Sequence, residues 1–146
     1  MMYESDDGVS FQSEYSVPEL PDFSKLVEWL QTVAAEEDKT ITTLAYRFVS
    51  DDDLLELNQQ FLKHNTFTDI LTFPYGYEPI ESDICISIDR VRDNALQLDS
   101  TIEEELLRVI VHGLLHMCGY SDETPEEKQA MRTRESYHLK CWRSID

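Results

Sequence analysis

His112-Gly113-Leu114-Leu115-His116-Met117-Cys118-Gly119-Tyr120-Ser121-Asp122 is the stretch on which the reading of this chain turns. A helical run that starts near Thr101 leads into it, so both histidines ride on one helix. Four residues of helix advance a side chain by about 40° and 6 Å, which brings both imidazoles out on the same face. Two nitrogens so placed can close on one transition-metal ion. Gly119, lacking a Cβ, can take the left-handed turn that ends a helix. That turn sends the chain back toward the histidines and makes Asp122 the next side chain able to hold a cation. Three protein ligands leave one coordination position open, as catalytic sites require.

Outward from this helix, strand and helix signals interleave. Met1 to Val17 holds two short extended segments around Asp6-Asp7-Gly8, a hairpin turn signal. Phe23, Leu26, Val27, Leu30, Val33 and Ala34 recur at helical spacing behind Pro21 and Asp22, a residue suited to a helix start. Ile41 to Val49 reads as a strand. Asp51-Asp52-Asp53 offers N-capping carboxylates to a helix carrying Leu54, Leu55, Leu57 and Phe61. Asp69 to Pro74 reads as a short strand stopped by proline, which lacks the ladder donor. Ile84 to Ile88 alternates apolar residues, and a helix follows from about Asp89 to Leu98. Thr101 with Glu104 resembles a capping box, and Thr124 with Glu127 makes another, with Pro125 at the first helical position and the last helix running to about Lys140. The expectation is an α+β fold in one domain over residues 1–146. One small mixed sheet of about four or five strands would be packed by about five helices, with the metal site at a helix C-terminus.

At 146 residues the chain can bury one core, and 41% hydrophobic with 10% aromatic residues excludes a disordered polymer. No apolar run approaches the roughly 20 residues of a membrane span, and the acidic N-terminal stretch does not read as a signal peptide. Cys85, Cys118 and Cys141 are dispersed and odd in number, which fits reduced thiols in a cytoplasm. A net charge of −18 opposes nucleic-acid binding, which normally draws on a basic surface. Lys128, Arg132, Arg134, Lys140 and Arg143, however, concentrate five of the twelve basic residues just past the metal motif. They describe either a solvated helix face or an RNA contact.

Other residues compete for roles at the site. Cys118 is a good zinc donor by chemistry, but it lies about 200° round the helix from His116. It reads instead as a packing residue. Glu123 could replace Asp122, though the preceding turn favours the first carboxylate. His64 falls in a loop, and His138 on a charged helix reads as surface. Arg108 shares the face of His112 one turn earlier and could hold a substrate phosphate, or else pair with Glu104 or Glu105.

The spacing HxxxHxxGxxD matches a metalloprotease ligand pattern with aspartate third. The residue after the first histidine, the general-base glutamate of such enzymes, is here Gly113, which argues against peptide hydrolysis. The stretch more closely resembles the YbeY family, bacterial metal-dependent endoribonucleases of ribosomal RNA maturation, with signature HGxLHxxGYDH. His112, Gly113, Leu115, His116, Gly119 and Tyr120 match as they stand. Upstream, Leu57-Asn58, Thr68 to Pro74 and Ser82-Asp83-Ile84 resemble that family's "LN", "TNVLSFP" and "GDI" segments in order. Two departures stand out: the family's third histidine ligand falls on Asp122, and its cleft arginine on Leu62. Lys63 beside it is the replacement phosphate contact.

The resemblance implies a single-strand-specific endoribonuclease acting in ribosomal RNA processing and ribosome maturation. Its one metal ion, Zn²⁺ with Mn²⁺ or Fe²⁺ as alternatives, would be held by His112, His116 and Asp122, with Lys63 and Arg108 at phosphates. A ribosomal protein or assembly GTPase could position so acidic an enzyme. Asp83 reads as structural. The rival readings are a metallopeptidase-like hydrolase, opposed by Gly113, a non-catalytic ribosome assembly factor stabilised by metal, and a non-haem iron oxygenase, whose sites commonly sit on β-scaffolds. A carboxylate in place of a third imidazole lowers the charge of the bound centre by one, so zinc should be retained less tightly than by three histidines.

Overall fold

The computed structural model describes residues 1–62 and 68–145. Five strands form one sheet: β1 (Met2–Glu4), β2 (Val9–Ser13), β3 (Ile41–Val49), β4 (Ile70–Tyr77) and β5 (Ile80–Ser87), in the order β1-β2-β3-β5-β4. β2, β3 and β5 run parallel, and β1 and β4 flank them antiparallel. The helices are α1 (Phe23–Glu36), α2 (Asp51–Leu57), which runs into a π-helical turn at Asn58–Leu62, α3 (Ile88–Gln97), α4 (Ile102–Met117) and α5 (Pro125–Arg143). This is the mixed α+β architecture that the sequence predicts.

Local chemistry explains most boundaries. Gly8, at φ +84°, turns the β1–β2 hairpin. Asp22, Thr101 and Thr124 accept from backbone N–H groups three residues on, and Thr124 with Glu127 completes a reciprocal capping box behind Pro125. Two expectations change. Ser50, not an aspartate, caps α2, and Asp51 to Asp53 occupy the first turn, where their charge favours the helix dipole. Pro74 does not stop its strand: β4 lies at the sheet edge, where a missing donor costs no ladder bond, and the register shifts between Pro74 and Gly76.

Alternation divides the sheet into two faces. Phe11, Tyr46, Phe48, Ile84 and Ile86 point to the main core, where α1, α4 and α5 contribute Trp29, Leu30, Ile110, Leu114, Met131 and Trp142. Leu71 and Cys85 point the other way and meet Leu54 of α2. Two contacts fix α4, the helix bearing the histidines, against the sheet. The buried Tyr46 hydroxyl donates to the Ile110 carbonyl at 2.7 Å. Gly113 lets α4 press close, since a Cβ there would lie 3.0 Å from both Ile70 Cδ1 and Ile84 Cδ1. No described helix is long and apolar enough to cross a membrane.

Candidate metal centre

α4 ends in two hydrogen bonds that close its last turn, from Gly119 N to the His116 carbonyl at 3.1 Å and from Tyr120 N to the Leu115 carbonyl at 3.1 Å. Gly119, at φ +105°, makes this Schellman ending possible. The reversal carries Asp122 back over the helix face. Its Oδ2 lies 3.3 Å from His112 Nε2 and 3.5 Å from His116 Nε2, and the imidazoles meet edge to face at 4.5 Å between centroids. The three residues predicted as ligands therefore present one donor atom each to a common point.

Both imidazoles are held from behind. His112 Nδ1 lies 2.6 Å from Glu135 Oε2, and His116 Nδ1 lies 2.9 Å from the Tyr120 carbonyl. A carbonyl oxygen only accepts, as does an ionised carboxylate, so Nδ1–H donates in each case, and in the neutral ring Nε2 is the nitrogen whose lone pair a metal would take. This is the outer support that ligating histidines usually have. The donor set, two imidazoles and a carboxylate, fits a borderline divalent cation. Burial works against charge on His112, but the Glu135 hydrogen bond and the Glu135, Asp122 and Asp69 charges prevail and hold its pKa above the usual histidine value. The same negative field favours a cation.

The three groups open onto a cleft of about 850 Å³ between α4, α5 and the start of β4. Asp69, Arg108, Glu123, Lys128 and Arg132 also line it. Burial pushes the Asp69 carboxyl up, against the pull of His112. Arg108 does not pair with Glu104 or Glu105; it reaches Glu135 Oε1 at 3.0 Å and Ser136 Oγ at 3.4 Å. Cys118 caps α4 away from the three ligands, its thiol pushed up to about 12 chiefly by burial. Asp83 takes the Tyr75 hydroxyl at 2.8 Å and plays no part in the cleft. Lys63 and His64 lie outside the described residues.

Sequence reasoning missed Glu135, and it placed His138 wrongly. His138 is fully buried, not on the surface. The signal was present: Met131, Glu135, His138, Leu139 and Trp142 form the buried stripe of α5 at helical spacing. A charged residue on such a stripe is buried for want of another place and needs a partner. Gly113 also takes on a different meaning. Its missing Cβ would point at Ile70 and Ile84 of the sheet, so a side chain here would enter the core and not the cleft.

The family model described as "Endoribonuclease YbeY" matches residues 9–143. An Endoribonuclease YbeY of Cytophaga hutchinsonii is 43% identical over 136 residues, covering 92% of this chain and 95% of that protein. One from Bacteroides thetaiotaomicron is 40% identical over 134 residues, covering 90% and 96%. The solution structure of TM1509 from Thermotoga maritima superposes with a TM-score of 0.66 at 30% identity, over 93% of this chain and 92% of that one. The chain belongs to the YbeY endoribonuclease family.

Proposed function

We propose that this chain, folding as one domain, is a metal-dependent endoribonuclease that cuts single-stranded RNA, with ribosomal RNA as its substrate during ribosome maturation. One observation carries the reading: His112 Nε2, His116 Nε2 and Asp122 Oδ2 converge on a point open to a cleft, with both imidazole orientations fixed. Membership of an endoribonuclease family supplies the reaction class. A divalent ion held by these three residues, proposed as Zn²⁺ with Mn²⁺ or Fe²⁺ as alternatives, would supply Lewis-acid chemistry to a bound phosphate.

The protein's own groups bind and orient. Lys128 and Arg132 are exposed on the α5 wall of the cleft and are suited to flanking phosphates. Arg108 is engaged by Glu135, so its first duty is to orient that carboxylate, with any phosphate contact secondary. Lys63 remains a proposed phosphate contact from the sequence resemblance. Three free cysteines fit a reducing cytoplasm, and the strong acidity fits delivery to RNA by a ribosomal protein or GTPase.

The test pairs metal analysis of fresh protein with cleavage of a single-stranded ribosomal RNA fragment, its duplex form and an unstructured peptide. Single-stranded RNA should be cut, the activity lost to chelator and regained with Zn²⁺, and His116→Ala should be inactive. Peptide cleavage with intact RNA would establish the metallopeptidase instead. A folded His116→Ala protein that still supports ribosome maturation would establish the non-catalytic assembly factor.

A further inference from the structure

One turn beyond Glu135, α5 meets the end of α1 in a second group of donors unconnected with the cleft. His138 and Cys141 lie three residues apart on one helix face, and Glu36 faces them from α1. One ligand atom of each lies within 4.8 Å of the others. Glu36 is exposed, Cys141 half-buried, and His138 completely buried.

The decisive feature is His138 Nδ1. It is buried and has no hydrogen-bond partner among the described residues; Glu36 Oε2 stands 3.6 Å away. Buried polar atoms are rarely left so. The other nitrogen, Nε2, lies 2.9 Å from Glu37 Oε2, a carboxylate that also takes Arg134 Nε–H at 2.6 Å and the Tyr120 hydroxyl at 2.8 Å. Burial opposes the charge on Glu37, but the His138, Arg134 and Tyr120 donors outweigh it and hold the carboxyl below its usual range. An ionised carboxylate only accepts, so Nε2–H donates to Glu37, and in the tautomer that would bind a metal the lone pair sits at Nδ1. That lone pair faces Glu36 and Cys141. The construction repeats that of His112 with the nitrogens exchanged: an acid grips one side of the ring and a donor cluster meets the other.

We infer that Glu36, His138 and Cys141 form a second metal site, for a thiophilic divalent cation such as Zn²⁺ or Co²⁺. Nitrogen, sulfur and oxygen donors together suit these ions. Two donors each about 2.0–2.1 Å from a tetrahedral ion stand roughly 3.4 Å apart, close to the 3.6 Å between Glu36 Oε2 and His138 Nδ1. The Tyr137 hydroxyl steadies the other Glu36 oxygen at 3.2 Å. The ion enters between exposed Glu36 and half-buried Cys141, and the thiol gives up its proton to solvent on binding. Once bound, it ties α1 to α5, the helix that carries Glu135. The site does not depend on the nuclease reading; only the equivalent expected at the cleft does, and it carries no thiolate band.

Cobalt titration of the full chain tests it, because the cleft ligands include no sulfur and a thiolate-to-cobalt charge-transfer band reports only on cysteine. Wild type should bind two equivalents and show the band. Cys141→Ser should bind one and lose the band, whereas Cys118→Ser should keep it. Glu36→Gln, a change at an exposed position, should weaken the band-forming event at least about tenfold, which gives a second reading should Cys141→Ser fold poorly. One equivalent without a thiolate band, a band that survives Cys141→Ser, one that forms only at large molar excess of cobalt, or unchanged affinity in Glu36→Gln would each overturn the inference.

Discussion

Glu135 is where the candidate metal centre and the fold share a single carboxylate, and Glu135→Gln separates the two roles. Its side chain is 5% exposed; Oε2 takes His112 Nδ1–H at 2.6 Å, and Oε1 takes Arg108 Nη1–H at 3.0 Å. Glutamine keeps the shape but offers one oxygen and one NH2 group, so it can accept from only one of these donors. With the oxygen turned to His112, the bond survives as a neutral one. Charge-assisted bonds contribute about 1.5–3 kcal/mol and neutral ones about 0.5–1.5. The loss of about 1–1.5 kcal/mol to imidazole basicity and orientation is close to tenfold in metal affinity, at 1.4 kcal/mol per decade. Glu135→Ala removes the acceptor and frees the ring, and about a hundredfold is expected, the upper end for such supporting residues. Both changes leave Arg108, 17% exposed, without its carboxylate, at about 1–3 kcal/mol of stability. Arg108→Met serves as the control, since it disturbs the same ion pair but preserves the His112 bond. Competition with a chromophoric chelator gives the metal affinities, and urea unfolding gives the stabilities. If Glu135→Ala binds zinc as wild type does, or Arg108→Met weakens zinc as much as Glu135→Gln, the support assigned to Glu135 is wrong.

Two further changes probe the same helix. Gly113→Ala gains about 0.8–1 kcal/mol of helix propensity but drives a methyl to 3.0 Å from Ile70 and Ile84, an overpacking worth about 1–3 kcal/mol. Net destabilisation of about 1 kcal/mol is expected in urea unfolding, and a gain of the full propensity term would show that α4 does not pack this tightly. Asp122→His should raise zinc affinity by restoring a third imidazole; tighter zinc retention by wild type in the same chelator competition would contradict the ligand argument.

What the sequence made legible is what depends on neighbours along the chain. The histidine pair, the reversal at Gly119, and the capping box at Thr124 and Glu127 each rest on residues within six positions of one another, and the structure contains all of these local features. Errors arise where several residues could play one part, or where the partner is remote. Ser50 through Asp53 are four successive capping-competent residues, and periodicity alone does not choose among them. Pro74 is a strand stop in a central strand and harmless at an edge, and sheet order is a long-range property. Arg108 has two glutamates on its own helix within reach, yet the partner that counts comes from α5, 27 residues later. His138 is tied to Glu37 across 101 residues. The Tyr120 carbonyl that steadies His116 belongs to the backbone, and no side-chain pattern announces it.

The acidity that opposed an RNA substrate loses force at the scale of the cleft. At physiological ionic strength exposed charges are screened over about 8 Å, so most of the net −18 acts elsewhere on the surface. Along the cleft, Asp69, Glu105, Asp122, Glu123 and Glu135 stand against Arg108, Lys128 and Arg132. Glu135 is already neutralised by Arg108. Burial pushes the Asp69 and Glu105 carboxyls up, against the pull of His112 on the first and of Arg108 and Arg132 on the second. What then faces a phosphate is Asp69, Glu105, Asp122 and Glu123 against Lys128 and Arg132, a local excess of negative charge that a divalent cation on Asp122 would bring close to balance. Under the proposed function, attraction for RNA would follow occupancy of the His112, His116 and Asp122 group together with Lys128 and Arg132 of α5, and the overall charge of the chain is a poor guide to it.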